Sequence, residues 1–221
     1  MCFSAEADVV AGVVVTVIGA DALRQAHRPA ERALGALPVL LGAHLLVEAA
    51  VWQGLTGGVA PATGERATWM YLLLALVVLP VYVPLAVRAV EPDVGRRRAM
   101  AALAGAGAVV AAVYLARLTA APVAVVISGH HLTYQIGLAH GGLLAGVYAI
   151  AACGAPMLSS ERRIATFGVA NLVAVVVLTW VERDALTSLW CAWAAVTSIA
   201  IAAHLRQGHR EAEVRVHPAS P

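Results

Sequence analysis

The amino-acid sequence predicts an all-α membrane protein, a seven-transmembrane-helix bundle with its N-terminus out and a small extracytoplasmic β-hairpin. Three observations predict it. The 221 residues are 61% hydrophobic and only 13% charged, with few aromatics at 5%; a soluble domain averages roughly 45–50% apolar and about 25% charged. Seven stretches approach the roughly 20 apolar residues that cross a bilayer. The arginines gather on alternate connections, as the positive-inside rule requires.

The seven stretches are 6–24, 34–55, 68–89, 99–118, 141–159, 163–181 and 186–205. Glu6 and Asp8 weaken the start of the first and Asp21 its end, and the fifth is short. In the fourth, Ala101, Gly105, Ala108 and Ala112 form a small-residue stripe. Such a stripe suits close helix contact in lipid, unless an alanine-rich composition produces it by chance.

One set of connections and the tail hold Arg24, Arg28, Arg32, Arg88, Arg96, Arg97, Arg98, Arg162, Arg163, Arg206, Arg210 and Arg215, twelve in all; the other side holds three, Arg66, Arg117 and Arg183. That asymmetry places the N-terminus outside and the C-terminus inside a cytoplasmic membrane. An odd number of spans agrees with it. Residues 1–205 then form a single transmembrane domain, and the polar stretch 206–221 is a disordered cytoplasmic tail.

Residues 122–138, PVAVVISGHHLTYQIGL, alternate apolar and polar positions on both sides of Ser128-Gly129. Period two around a turn predicts a two-stranded hairpin across the outer mouth of the bundle; a re-entrant or interfacial segment is the alternative.

Several functions are excluded or disfavoured. There is no lysine, all 15 basic residues being arginine, so no retinal Schiff base can form. A net charge of +2 gives no footprint for nucleic acid. GxSxG, Walker A, HExxH and GxGxxG are absent. No basic region precedes the first apolar run, so no cleavable signal peptide is read. The three cysteines, Cys2, Cys153 and Cys191, show no CxxC spacing. Seven-helix zinc hydrolases of the alkaline-ceramidase and progestin-receptor type gather histidines at one membrane face, whereas the last helix here offers only His204 at its inner end.

The opening MCFSAEAD, the segment LLGAHLLVEAAVWQGL (40–55) and the segment SLWCAWAAVTS (188–198) resemble an uncharacterised bacterial family of small polytopic membrane proteins whose members begin MCFSA. ACG (152–154) and FGVANLVAV (167–175) fit the same pattern. The resemblance implies an integral membrane protein and carries over no catalytic or binding residue.

Candidate site residues therefore come from the cost of polar groups in lipid. Intramembrane ionisable residues face the protein interior or a wet cavity. His44 and Glu48 stand four apart on one helix face, and Trp52 extends that face outward. They serve either as a site, with Glu48 the candidate general base, or as a pair that fastens helices. The expected pocket is outward-facing, with His44 and Glu48 as its floor under the hairpin, and is lined by His44, Glu48, Trp52, Tyr134, Asn171 and Glu182. His44, His130, His131, Cys2 and Cys191 are candidate ligands for zinc or copper, although no local spacing among them is a metal signature. His130-His131 is otherwise a solvated turn. Cys2 and Cys191 could equally form a disulfide or remain free thiols, and Cys153 reads as a small packing residue. Asn171 is either interhelical glue or a cavity residue. Trp52, Trp69, Trp180, Trp190 and Trp193 read as an interfacial belt. The expected partners are the lipid bilayer and a small molecule or ion. The functions left open are a binding or sensing protein, a metal-dependent enzyme at the outer leaflet, and a small proton-coupled transporter, the last disfavoured by the scarcity of polar groups in the inner halves of the helices.

Overall fold

The computed structural model describes residues 4–129, 131–181, 196–203 and 206. Seven helices run through them: α1 (Ala5–Gln25), α2 (Pro29–Thr56), α3 (Pro61–Val90), α4 (Val94–Ala120), α5 (Gly141–Met157), α6 (Arg162–Val181) and the helical residues 196–203. The hairpin is β1 (Ala124–Ser128) and β2 (His131–Gln135), between α4 and α5. Three of the described helices, α2, α3 and α4, are long and apolar enough to cross a membrane.

The long helices begin earlier than their apolar runs. Pro29 and Pro61 sit in the first turns of α2 and α3, where a missing N–H costs nothing and the fixed φ suits a helix. The polar residues that follow, Glu31 and Arg32 in one and Glu65 and Arg66 in the other, are therefore helical. Asp93 caps α4, its carboxylate accepting from the Arg96 N–H at 2.7 Å.

On α1, Asp8, Gly12, Val15, Gly19 and Ala22 are buried. Steps of four and three residues place them on one helix face, and that face lies on α2. The approach is close: a Cβ at Gly19 would overlap the backbone of Pro38 and Val39. On α4 the expected stripe is corrected. Ala101, Gly105, Ala108 and Ala112 are exposed, whereas Ala104, Gly107 and Ala111 are buried. Gly107 lies against the Pro80 carbonyl with no room for a Cβ. Both sets have near-helical spacing, and only the neighbouring helix decides between them.

A π-helical turn, Leu73–Val78, interrupts α3. The Leu79 N–H bonds the Leu74 carbonyl. In that i→i+5 pattern the Ala75 carbonyl would look to residue 80, which is proline and has no N–H. Its donor comes instead from α5, the Tyr148 hydroxyl at 3.0 Å. Similarly, the Tyr82 hydroxyl on α3 donates to the Ala33 carbonyl on α2 at 2.9 Å.

The arginine-bearing connections meet at one end. Arg206 pairs with Asp21 at 2.7 Å, and Arg96 donates to the Leu158 carbonyl at 3.1 Å. Glu91 accepts from the Ser160 N–H at 2.7 Å and the Ser159 hydroxyl at 3.3 Å. Burial works to raise the Glu91 pKa, and the serine donors and the Asp93 N–H outweigh it, holding the carboxyl below the usual range. One apolar core lies toward this end around Leu37, Leu41, Leu79, Val87 and Met100. A second lies at the opposite end, where Val51, Trp52, Tyr71, Leu72 and Leu118 meet Leu132 of the hairpin.

The expected hairpin is present. Its strands pair antiparallel from Ala124↔Gln135 to Ser128↔His131. That register leaves Gly129 and His130 as the connecting residues, and Gly129 has φ +60°, as two-residue hairpin turns require.

Candidate functional site

At the hairpin end, four elements bring polar side chains together. α1 supplies Asp8 from its inward stripe. α2 supplies His44, Glu48 and Trp52, spaced four apart on one face. α3 supplies Tyr71 and β2 supplies Tyr134. Asp8 and Glu48 are 0% exposed, Tyr71 2%, His44 3% and Trp52 6%; the group is packed shut beneath the hairpin, where the sequence predicts an outward-facing pocket.

The group is organised by stacking. The His44 imidazole lies on the Tyr71 ring with centroids 4.1 Å apart and planes at 16°. Tyr71 lies in turn against Tyr134, at 4.8 Å and 13°. This three-ring ladder ties mid-α2 to the hairpin through α3. Burial holds the Tyr134 phenol well above its usual range.

The carboxylates flank the ladder. Tyr71 lies beside Glu48, and Asp8 is within electrostatic reach of Glu48. The Trp52 indole faces Asp8, yet no hydrogen bond of sound geometry joins them. Among the described residues, both Asp8 oxygens, His44 Nδ1, Trp52 Nε1 and the Tyr134 hydroxyl are buried without a hydrogen-bond partner. On the other face of β2, His131 Nε2 and Thr133 Oγ1 share that condition. Buried polar groups normally have partners, so this cluster of exceptions is the feature of the fold that calls for a functional explanation.

Of the residues expected from sequence, His44, Glu48, Trp52 and Tyr134 meet here. Asn171 is elsewhere: it donates to Cys153 Sγ at 3.4 Å and lines a cavity between α2, α3, α5 and α6. Cys153 is a free, buried thiol. Cys2, His130, Glu182 and Cys191, and with them the disulfide question, lie outside the described residues. Among the described residues, no group of three His, Cys, Asp or Glu side chains is placed to hold a metal ion. Trp52 is buried in the cluster and so is no member of an interfacial belt, whereas Trp69 is 41% exposed.

Sequence reasoning passed over Asp8 and Tyr71. Asp8 carried a usable signal, because the cost argument that singled out His44 and Glu48 applies equally to a carboxylate within an apolar helix. Tyr71 carried none, since its partners come from other elements.

The fold defines a class: a helical bundle with three candidate membrane-spanning helices and a hairpin packed over a buried polar cluster. The chain belongs to a family of unknown function (DUF6629), matched over residues 1–216. No curated protein and no solved structure shows significant similarity to it.

Proposed function

We propose that this is a multi-pass membrane protein of the cytoplasmic membrane, with seven spans and its N-terminus outside, whose outward end binds a small cation on the buried Asp8 carboxylate beneath the hairpin. Three candidate spans and outward-facing apolar side chains support the membrane setting. Val10, Val17, Val109, Leu143 and Ile150 are 61–70% exposed, a pattern that water penalises and lipid does not. The distribution of arginines supports the orientation.

One observation carries the binding reading. Asp8 is wholly buried, and neither carboxylate oxygen has a partner among the described residues. An uncompensated buried carboxylate is costly, and a cation supplies the missing interaction. The lone pair of the His44 imidazole is a further donor to such a guest. Closure implies that the guest enters when the hairpin shifts. Zinc and copper remain among the candidate cations.

The test is thermal unfolding of the purified full-length protein titrated with Zn²⁺, Cu²⁺, Na⁺ and tetramethylammonium. One of these should raise the Tm saturably. At a hundredfold excess over Kd the gain is about 2.7 kcal/mol, or roughly 5–10 °C for a chain of this size. Asp8→Asn should abolish the response. A cluster that only fastens helices gives the contrary result: Asp8→Asn and His44→Ala change the Tm, and no cation moves it in the wild type.

A further inference from the structure

The cavity lined by Asn171, of about 340 Å³, lies between α2, α3, α5, α6 and residues 196–203, in the half of the bundle away from the hairpin. Its walls are apolar, with Leu37 and Leu41 from α2, Val83 and Val87 from α3, Phe167 from α6, and Ile201. Arg163 is the single charged residue among those that line it. Arg163, Phe167 and Asn171 stand four apart on one face of α6, so the cavity follows that helix for about 12 Å. Arg163 is exposed and makes no ion pair among the described residues. It lies in the first turn of α6, at the end where Arg28, Arg96 and Arg206 gather.

We propose that this cavity holds one acyl chain of an anionic phospholipid whose phosphate is held by Arg163. An apolar slot with a single cation at its mouth matches an amphiphile with a negative head. The volume is at the low end of the range for small-molecule sites, about 300–1,000 Å³, and so accepts a single chain, leaving the second in the bilayer. The arginine-rich end is the cytoplasmic one in the orientation above, where anionic headgroups attract basic side chains. The inference rests on the membrane reading and is independent of the cation site.

The experiment reconstitutes the full-length protein in phosphatidylcholine vesicles containing trace phosphatidylglycerol with a diazirine on its acyl chain. Parallel samples carry the same probe on phosphatidylcholine or on palmitate. After irradiation, adducts are mapped by peptide mass spectrometry. Adducts on Leu37, Leu41 and Phe167 are expected, with phosphatidylglycerol favoured over zwitterionic phosphatidylcholine about fivefold, the effect of one basic residue on lipid of net negative charge. Arg163→Gln should remove the preference. Val83→Phe should remove the cavity adducts while leaving those on outward-facing Val173 and Val176, which are 56% and 50% exposed; if Val83→Phe does not fold, Leu41→Phe serves the same purpose. Adducts confined to Val173 and Val176 would overturn the cavity site and leave the membrane reading standing. Adducts nowhere would overturn both. Equal labelling by the two phospholipids, or stronger labelling by palmitate, would overturn the assignment to an anionic phospholipid.

Discussion

Tyr71 is the middle rung between His44 and Tyr134, so replacing it with leucine removes two ring pairs at once while keeping an apolar side chain in place. Each stacked pair contributes about 0.5–1.5 kcal/mol beyond area burial. Tyr71 is also 2% exposed, so the smaller side chain leaves a void. Together these cost roughly 2–4 kcal/mol. The Tm should fall by roughly 5–15 °C at about 2–4 °C per kcal/mol. The loss should also be local. β1 and β2 lean on the bundle through Leu132, Val125 and Tyr134, so their amides should exchange with solvent faster, while those of α4 around Met100 change little. Tyr134→Leu and the double variant complete a cycle. A coupling of about 0.5–1.5 kcal/mol is expected between the two rings. Additive effects, or hairpin exchange that matches the wild type in Tyr71→Leu, would refute the claim that the ladder holds the hairpin down.

Three further outcomes follow from the packing. Glu91→Gln should cost about 1–2 kcal/mol by weakening the charged acceptor for Ser159 and Ser160. Because the folded pKa of Glu91 lies below its ordinary value, its contribution is present above about pH 4.5 and fades as pH falls through the folded value; unfolding as a function of pH should show this slope in the wild type and not in the variant. Gly107→Ala should destabilise by about 1–3 kcal/mol, since its methyl meets the Pro80 carbonyl. Gly105→Ala, with nothing near it, should be neutral or stabilising by up to about 1 kcal/mol, and equal denaturation midpoints for the two would contradict the packing of α3 on α4. Tyr148→Phe, which leaves the Ala75 carbonyl without its donor, should lower stability by about 1–3 kcal/mol; an unchanged Tm would mean that this carbonyl finds another donor.

Much of the architecture could be read in the sequence because it depends on periodicity. Apolar runs marked the helices, and alternation on either side of Ser128-Gly129 marked the hairpin, although Ser128 belongs to β1 and pairs with His131. Helix ends were harder to place. Expected starts at 34 and 68 gave way to Pro29 and Pro61, because proline in a first turn extends a helix beyond its apolar run. The exposed stripe at Ala101 and Gly105 shows the limit of pattern alone: in an alanine-rich helix two faces look alike until a neighbour is known. The site divides in the same way. His44, Glu48 and Trp52 lie on one helix, and their spacing identified them. Asp8 reads in the sequence as a defect in a span, and the rings of Tyr71 and Tyr134 are joined across 63 positions of sequence, where no local rule operates. Asn171 sits beside Cys153 and the other cavity, because depth along a helix does not reveal which face a residue shows.

The loosened turn in α3 bears on the order in which the molecule is made. Helices emerge from synthesis in chain order, and α3 precedes α5. In a bilayer, an open carbonyl at Ala75 has no water to turn to, and its donor, Tyr148, is translated 73 residues later. The Ala33 carbonyl meets Tyr82 after a shorter wait of 49 residues. Each clasp reaches back from a younger helix to an older one, so α2 is secured by α3 and α3 by α5. Nascent chains truncated before Tyr148 should therefore hold α3 in a state that chaperones or proteases still recognise, and chains that include it should not. The bundle would then close in the sequence in which its tyrosines arrive.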